Sequence, residues 1–272
     1  MRALLAAHGL RASKALGQHY LVDPNTARKV VRLAQVAAGD TVLEIGPGLG
    51  SLTLALREAG ARVVAVEADA RLLPALAEVL GEDPDVRVVT ADAVRADLAG
   101  LAPGARCLVA NLPYNIAATV VLRVLIDYRQ YQRLTVTVQR EVGERLAAAA
   151  GTAAYGATSA KVAALADARV LAPVSRKVFL PEPHVDSVLV GLTRRPHPAT
   201  AGLPWAALGR VIDAAFSQRR KTLRNALRTL GLSAGEVEAL GRAAGVDLGL
   251  RAERLDVDAF AALARGLAGG TF

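Results

Sequence analysis

The chain has 272 residues, 53% hydrophobic and 21% charged, the balance of a globular protein with a sizeable core rather than of a disordered or fibrous one. Its 33 Lys and Arg against 25 Asp and Glu leave a net charge of +8, which favours an acidic partner, nucleic acid first and an anionic membrane surface second. The single cysteine, Cys107, excludes an intrachain disulfide and a Cys-based zinc site, and no run approaches the ~18 apolar residues that cross a bilayer.

In chain order, "MRALLAAHGLRASK" is a short apolar patch broken by His8 and Arg11, a poor match to a signal peptide. A cytoplasmic protein with no membrane partner and no metal is expected. Alternation then begins. "TVLEIG" (41–46), "RVVAVEAD" (62–69), "VRVVTADAV" (86–94), "CLVANLP" (107–113) and "LTVTVQ" (134–139) are Val-rich runs of strand length. Helix-like stretches such as "SLTLALREAG" (51–60) and "RLLPALAEVLG" (71–81) lie between them. This spacing predicts βαβ units, an α/β class and a mostly parallel sheet covered on both faces. "RVLAPV" (169–174) and "DSVLVGLT" (186–193) add two more strands, one of them antiparallel at the edge. Cys107, inside an apolar run, reads as a buried structural thiol.

"TRRPHPATAGLP" (193–204) is Pro-rich and reads as a linker. The stretches 205–231, 233–245 and 256–268 are helix-forming, and Ser233 with Glu236 has the spacing of a capping box. Two domains are expected: 1–195, carrying the sheet, and an all-helical 196–272.

Chemistry gathers at predicted strand ends. "EIGPGLGS" (44–51) follows a strand and opens a helix, and Gly46, Gly48 and Gly50 let the backbone bend tightly and approach a ligand. A dinucleotide fingerprint needs a sixth-position glycine, where this chain has Ser51. The pattern fits S-adenosylmethionine, which has no pyrophosphate, better than NAD. Glu67 ends the next strand, twenty-one residues after Gly46, where a carboxylate accepts from ribose hydroxyls. Asp92 ends the third and is placed to accept from an adenine amine.

The fourth strand runs into "NLPYNI" (111–116). An exocyclic adenine amine is a poor nucleophile because its lone pair is delocalised into the ring. The Asn111 side-chain carbonyl and the Leu112 backbone carbonyl, oriented by Pro113, suit its two hydrogens, and Tyr114 suits stacking on the ring. A sulfonium is already an activated electrophile, so alignment and electrostatics suffice without a strong base. In "VFLPEPHVDS" (178–187), Phe179 is expected to close the other face of the base, with His184 a surface residue. Arg220, Arg224 and Arg228 recur every four residues, flanked by Arg219 and Lys221. On one continuous helix they form a stripe suited to RNA phosphates, and that face carries no carboxylate.

Together these residues resemble the KsgA family of ribosomal RNA adenine dimethyltransferases over nearly the whole chain. "SKALGQHYLVDP" (13–24), "EIGPGLG", "NLPYNI", "FLPEPHVDS" and "FSQRRKTLRNAL" (216–227) look like its signatures, in order. The resemblance implies a Rossmann-like methyltransferase domain with a small helical RNA-binding domain. It also implies N6,N6-dimethylation of two adjacent adenosines in the 3′-terminal hairpin loop of 16S rRNA, late in small-subunit assembly, by a monomer. It further implies cofactor contacts from His19, Leu21, Gly46, Glu67, Asp92 and Asn111. His19 and Tyr20 stand where many relatives have Asn and Phe. The rival readings are a large-subunit rRNA adenine methylase of the macrolide-resistance kind, a DNA N6-adenine methylase, and a mainly non-catalytic assembly or nucleic-acid-binding factor. "FSQRRKTLRNAL" argues against the two other enzymes, and the intact "NLPY" favours catalysis over the binding factor.

Overall fold

The computed structural model describes residues 1–13, 17–196, 200–218 and 220–270. Arg219, and Lys14 of the N-terminal signature, lie outside them. In chain order the elements are α1 (Arg2–Ala7), β1 (Tyr20–Leu21), α2 (Pro24–Leu33), β2 (Thr41–Ile45), α3 (Ser51–Glu58), β3 (Arg62–Glu67), α4 (Leu73–Leu80), β4 (Val86–Thr90), α5 (Leu98–Leu101), β5 (Cys107–Asn111), α6 (Ala117–Asp127), β6 (Arg133–Gln139), α7 (Arg140–Leu146), α8 (Ala157–Ala163), β7 (Ala166–Val174), β8 (Phe179–Leu180), β9 (Ser187–Arg194), α9 (Trp205–Ser217), α10 (Leu223–Leu227), α11 (Ala234–Ala244) and α12 (Val257–Gly269). They form two compact units, Met1–Gly143 with Arg169–Arg194, and Glu144–Ala168 with Arg195–Phe272.

The first unit is built on a seven-stranded sheet in the order β4-β3-β2-β5-β6-β9-β7. Strands β2 to β6 pair in parallel and β9 runs antiparallel to β6. The central strands are apolar throughout because both faces are covered: Val42, Leu43, Val63, Leu108, Val109 and Val136 are all buried. Each such side chain contributes about 1.5–3 kcal/mol on burial. Helices α2 and α3 close one face through Val30, Val31, Leu52 and Leu56. Asp23 caps α2 by accepting the Thr26 N–H, with Pro24 at the first helical position. Cys107 is buried, as expected, with Arg133 Nη2 2.9 Å from its sulfur. The order reverses between β2 and β5, so the crevice of a doubly wound sheet opens at their carboxyl ends.

A second, two-stranded sheet pairs β1 with β8 antiparallel, Tyr20 opposite Leu180 and Leu21 opposite Phe179. It ties the N-terminal signature to the "FLPEP" segment, two stretches that the sequence reading treats separately.

The second unit is helical, with a core of Tyr155, Leu208, Ile212, Leu227, Leu240 and Phe260. Residues 144–168 belong to it because Tyr155, Ala160 and Ala164 join that core. A single cut after 195 therefore differs from the observed partition in this segment. The capping box forms: Ser233 Oγ accepts the Glu236 N–H at 3.3 Å and Glu236 accepts the Ser233 N–H at 2.7 Å. The stretch 205–231 is not one helix. It stops at Ser217 and restarts at Leu223. The N–H groups of Leu223 and Arg224 bond the carbonyls of Leu250 and Leu248 rather than a preceding helical turn. Among the described residues no helix is long and apolar enough to cross a membrane.

Candidate active site

A cleft of about 460 Å³ opens over the carboxyl ends of β2, β3, β4 and β5. His19, Leu21, Gly46, Glu67, Asp92, Asn111, Leu112, Pro113 and Tyr114 all line it. Residues as far apart in sequence as His19 and Tyr114 thus converge, those from Gly46 onward because parallel strands all deliver their ends to one edge of the sheet.

The floor is the turn after β2. Gly46, Gly48 and Gly50 have φ of +70°, +57° and +83°, a region that L side chains avoid. At Gly48 a Cβ would also stand 2.9 Å from the Tyr20 ring. The turn delivers the Gly48 N–H to Glu67 Oε2 at 3.1 Å, and the Asp69 N–H reaches Oε1 at 2.9 Å. Glu67 is therefore pinned by both oxygens while each keeps a free lone pair for a diol. Burial raises its pKa, against these backbone bonds.

One strand position before the turn, Glu44 is fully buried, and its pKa is pushed up to about 8 by burial, with Glu67 adding to the rise. The buried Thr53 hydroxyl interacts with Glu44 and works against that rise, though no hydrogen bond of good geometry joins them. Burial thus favours the neutral form of Glu44, behind the Glu67 carboxyl group that faces the cleft.

The roof comes from the N-terminal signature, for which sequence reasoning offers no physical account. Gln18 accepts from the Tyr20 hydroxyl at 2.9 Å and donates to Asp69 Oδ2 at 2.8 Å. Asp69 is held at a pKa of about 2, chiefly by its Arg71 partner at 2.7 Å. Tyr20 packs on the glycine turn with Leu49 and Leu72. Gln18 thus lines the cleft, and Asp69 and Arg71 brace it from behind, with no motif spacing to announce them.

At the acceptor end, Asn111 Nδ2 donates to the His19 carbonyl at 2.9 Å, which leaves Oδ1 as an acceptor. The Leu112 N–H is anchored on Thr137 and Pro113 begins the turn into α6. The Tyr114 hydroxyl meets Ser187 Oγ at 2.8 Å, and burial raises its pKa. Ser187, fully buried at the end of "FLPEPHVDS", is a second partner missed from sequence. The His19 ring stacks on Tyr114, with centroids 5.2 Å apart and planes at 26°, while its Nδ1 meets the Pro181 carbonyl at 2.7 Å.

Phe179 does not line the cleft. It is 4% exposed and packs in the apolar cluster with Leu21, Val174 and Leu189. Opposite Leu21 in the small sheet, it supports the roof from behind, and the ring on Tyr114 belongs to His19. His184 is exposed, as expected.

The basic residues lie in the second unit. The helix break removes the continuous face that carried Arg220, Arg224 and Arg228. Arg224 is not free of carboxylates either: it pairs with Glu238 of α11. Arg220, Lys221 and Arg228 are exposed and form no ion pair among the described residues. Lys221 and Arg228 share an open polar pocket with Gln218, Asn225 and Thr229.

The model of the family described as "Ribosomal RNA adenine dimethylase" matches residues 9–268. A protein of Thermobifida fusca (strain YX), ribosomal RNA small subunit methyltransferase A, is 49% identical over 97% of this chain and 93% of its own length. Among solved structures, a dimethyladenosine transferase from Plasmodium falciparum has a TM-score of 0.77 at 22% identity, covering 90% of this chain and 96% of that one. The 23S rRNA methyltransferase ErmE has a TM-score of 0.67 at 26% identity, covering 92% and 99%.

Proposed function

This chain belongs to the ribosomal RNA adenine dimethylase family, and on that footing we propose how its cleft serves small-subunit RNA. It is an S-adenosylmethionine-dependent methyltransferase acting on N6 of adenosine. The observation that carries this reading is the convergence of the Gly46–Gly50 turn, Glu67, Asp92 and Asn111 on one cleft.

The cleft fits the cofactor. Glu67, fixed by the Gly48 and Asp69 N–H groups, would hold the ribose. Asp92 would take the adenine amine, and the glycine turn and the 18–21 roof would enclose the amino-acid tail. S-adenosylmethionine supplies a methyl group on a sulfonium, so the protein's remaining task is to prepare the acceptor. Asn111 Oδ1 and the Leu112 carbonyl would accept hydrogen bonds from the exocyclic amine and free its lone pair, and once the methyl is transferred the nitrogen's proton leaves to water. Tyr114, held by Ser187, presents its ring to the base. No residue needs to act as a strong base, because alignment of the reacting atoms and preorganised dipoles lower the barrier.

The finer assignment is two adjacent adenosines in the 3′-terminal hairpin loop of 16S rRNA, presented late in small-subunit assembly in the cytoplasm. An adenine in a hairpin loop is partly unstacked, which lowers the cost of extrusion into the cleft. Lys221, Arg220 and Arg228 of the helical unit would meet RNA phosphates. The protein is proposed to act as a monomer. The test is to treat unmethylated small subunits, and separately large subunits, with the protein and tritiated S-adenosylmethionine and then map the label. Two adjacent N6,N6-dimethyladenosines in the 3′-terminal hairpin are expected. Label confined to large-subunit RNA would overturn the assignment.

A further inference from the structure

β4 is the outermost strand at one end of the sheet, and the turn that follows it is the least buried wall of the cleft. Asp92 and Arg95 are both exposed. The contacts that Asp92 makes are local: Oδ1 accepts the Val94 N–H at 2.9 Å, and its carbonyl accepts the N–H groups of Arg95 and Ala96. Such bonds set the shape of the turn. They do not set its place against the sheet.

Ahead of Asp92 the Ala91 N–H is tied to the Glu67 carbonyl at 2.9 Å, and beyond it the turn is held by Arg123 of α6. Its Nη1 donates to the Ala93 carbonyl at 2.6 Å. Its Nη2 donates to the Ala96 carbonyl at 2.9 Å, to that of Arg95 at 3.3 Å and to the Tyr128 hydroxyl at 2.8 Å. The Tyr128 hydroxyl in turn donates to Ala96 at 3.0 Å, and the guanidinium lies 5.3 Å from the Tyr128 ring centroid. On a helix, residues four apart face one another and opposite charges there attract weakly. Asp127, four residues on, pairs with Nε at 3.7 Å, while three carbonyls of the turn take the two outer nitrogens of the planar fork. Helix α6 starts directly after the Asn111–Ile116 loop and carries Arg123 about two turns further on. One rigid element thus bears the amine-gripping loop at its start and the grip on the Asp92 turn further along.

We infer that Arg123 is a positioning residue for methyl transfer: it holds the Asp92 turn against the fold and so sets affinity for the adenosyl part of the cofactor without touching it. The inference rests on the cofactor reading above. Its test uses Arg123→Met, which keeps the apolar stem and removes the fork, in calorimetric titrations with S-adenosylmethionine and with adenosine. Both dissociation constants should rise about tenfold, the scale of losing one hydrogen bond to the cofactor. The rate at saturating cofactor should stay within about twofold. Amide exchange should quicken in 92–97 while β5 and α6 keep their protection. Arg123→Lys should retain part of the affinity. In an Asp92→Ala background Arg123→Met should add less than about twofold, because both changes act on one contact. Unchanged affinity, a full tenfold loss on top of Asp92→Ala, or faster exchange across the whole sheet would each overturn the inference. Wild-type protein that binds neither ligand would instead bring down the cofactor reading, and this inference with it.

Discussion

Asn111 is tied at one end of its amide and open at the other: Nδ2 is committed to the His19 carbonyl and Oδ1 is left to the substrate amine. Asn111→Ala removes both the acceptor and the tie to the roof. Single-turnover methyl transfer, with RNA and cofactor saturating, should slow by about 10²-fold, as when one preorganised polar group is lost elsewhere. A near wild-type rate would make "NLPYNI" a structural turn. Glu44 gives a second prediction, on stability. The folded chain keeps its proton up to a pH of about 8, while an unfolded glutamate releases it near ~4.3. Between those values the unfolded state binds fewer protons, so rising pH lowers stability by up to ~1.4 kcal/mol per unit. The contribution is fully present below the unfolded value and lost above the folded one. Chemical denaturation from pH 4.5 to 8.5 should show a flatter profile for Glu44→Gln than for wild type, and equal slopes would mean that Glu44 does not shape the profile. Glu67, Asp92 and Asn111 were legible because each follows an apolar run at a strand end. Gln18, Ser187 and Arg123 were not, because each acts on a partner that only folding brings near: Asp69, Tyr114 and Ala93 stand 51, 73 and 30 residues away.

At the level of elements, the glycine turn and the N-terminal segment are one device. Tyr20 lies where only Gly48 leaves room, its hydroxyl reaches Gln18, and Gln18 reaches Asp69 beyond the end of β3. Gly48→Ala must place a side chain at φ +57° and displace an aromatic ring. The backbone strain alone costs about 1–2 kcal/mol. Cofactor affinity should fall about tenfold or more, and Tyr20→Leu in the same protein should recover part of it by relieving the contact. Additive losses in the double variant, measured by calorimetry, would show that the two do not meet in solution. The βα alternation that builds the floor was readable, since Val-rich runs between amphipathic stretches have one economical arrangement. The roof was not, because β1 and β8 are strands of two residues each, too short to show a period. The break between α9 and α10 was equally silent. No Gly or Pro marks residues 218–222, and what ends the helix is a pair of carbonyls from Leu248 and Leu250 that offer the next helix its first bonds.

Over the whole molecule, the net charge of +8 is not spread over equivalent cations. Arg57, Arg71, Arg123 and Arg194 are engaged in holding the first unit together: Arg57 pairs with Asp83 and Asp85, while Arg194 donates to carbonyls from Val124 to Tyr131. Net charge alone does not say which cations are left to meet a partner. In the second unit Arg224 is likewise occupied by Glu238, whereas Lys221 and Arg228 flank a polar pocket without an ion pair among the described residues. If RNA phosphates bind there, the unpaired cations release the counterions. Lys221→Gln and Arg228→Gln should each flatten the salt dependence of subunit binding by about one in slope. Arg224→Gln should flatten it less, since its charge is already balanced. None of the three should alter the dissociation constant for S-adenosylmethionine, whose cleft is lined entirely by residues of the first unit. Filter binding of small subunits across a salt series, beside calorimetry with the cofactor, measures both. An equal loss of slope at Arg224 would show that the Glu238 pair does not survive contact with RNA, and unchanged slopes at Lys221 and Arg228 would return both to an ordinary solvated surface.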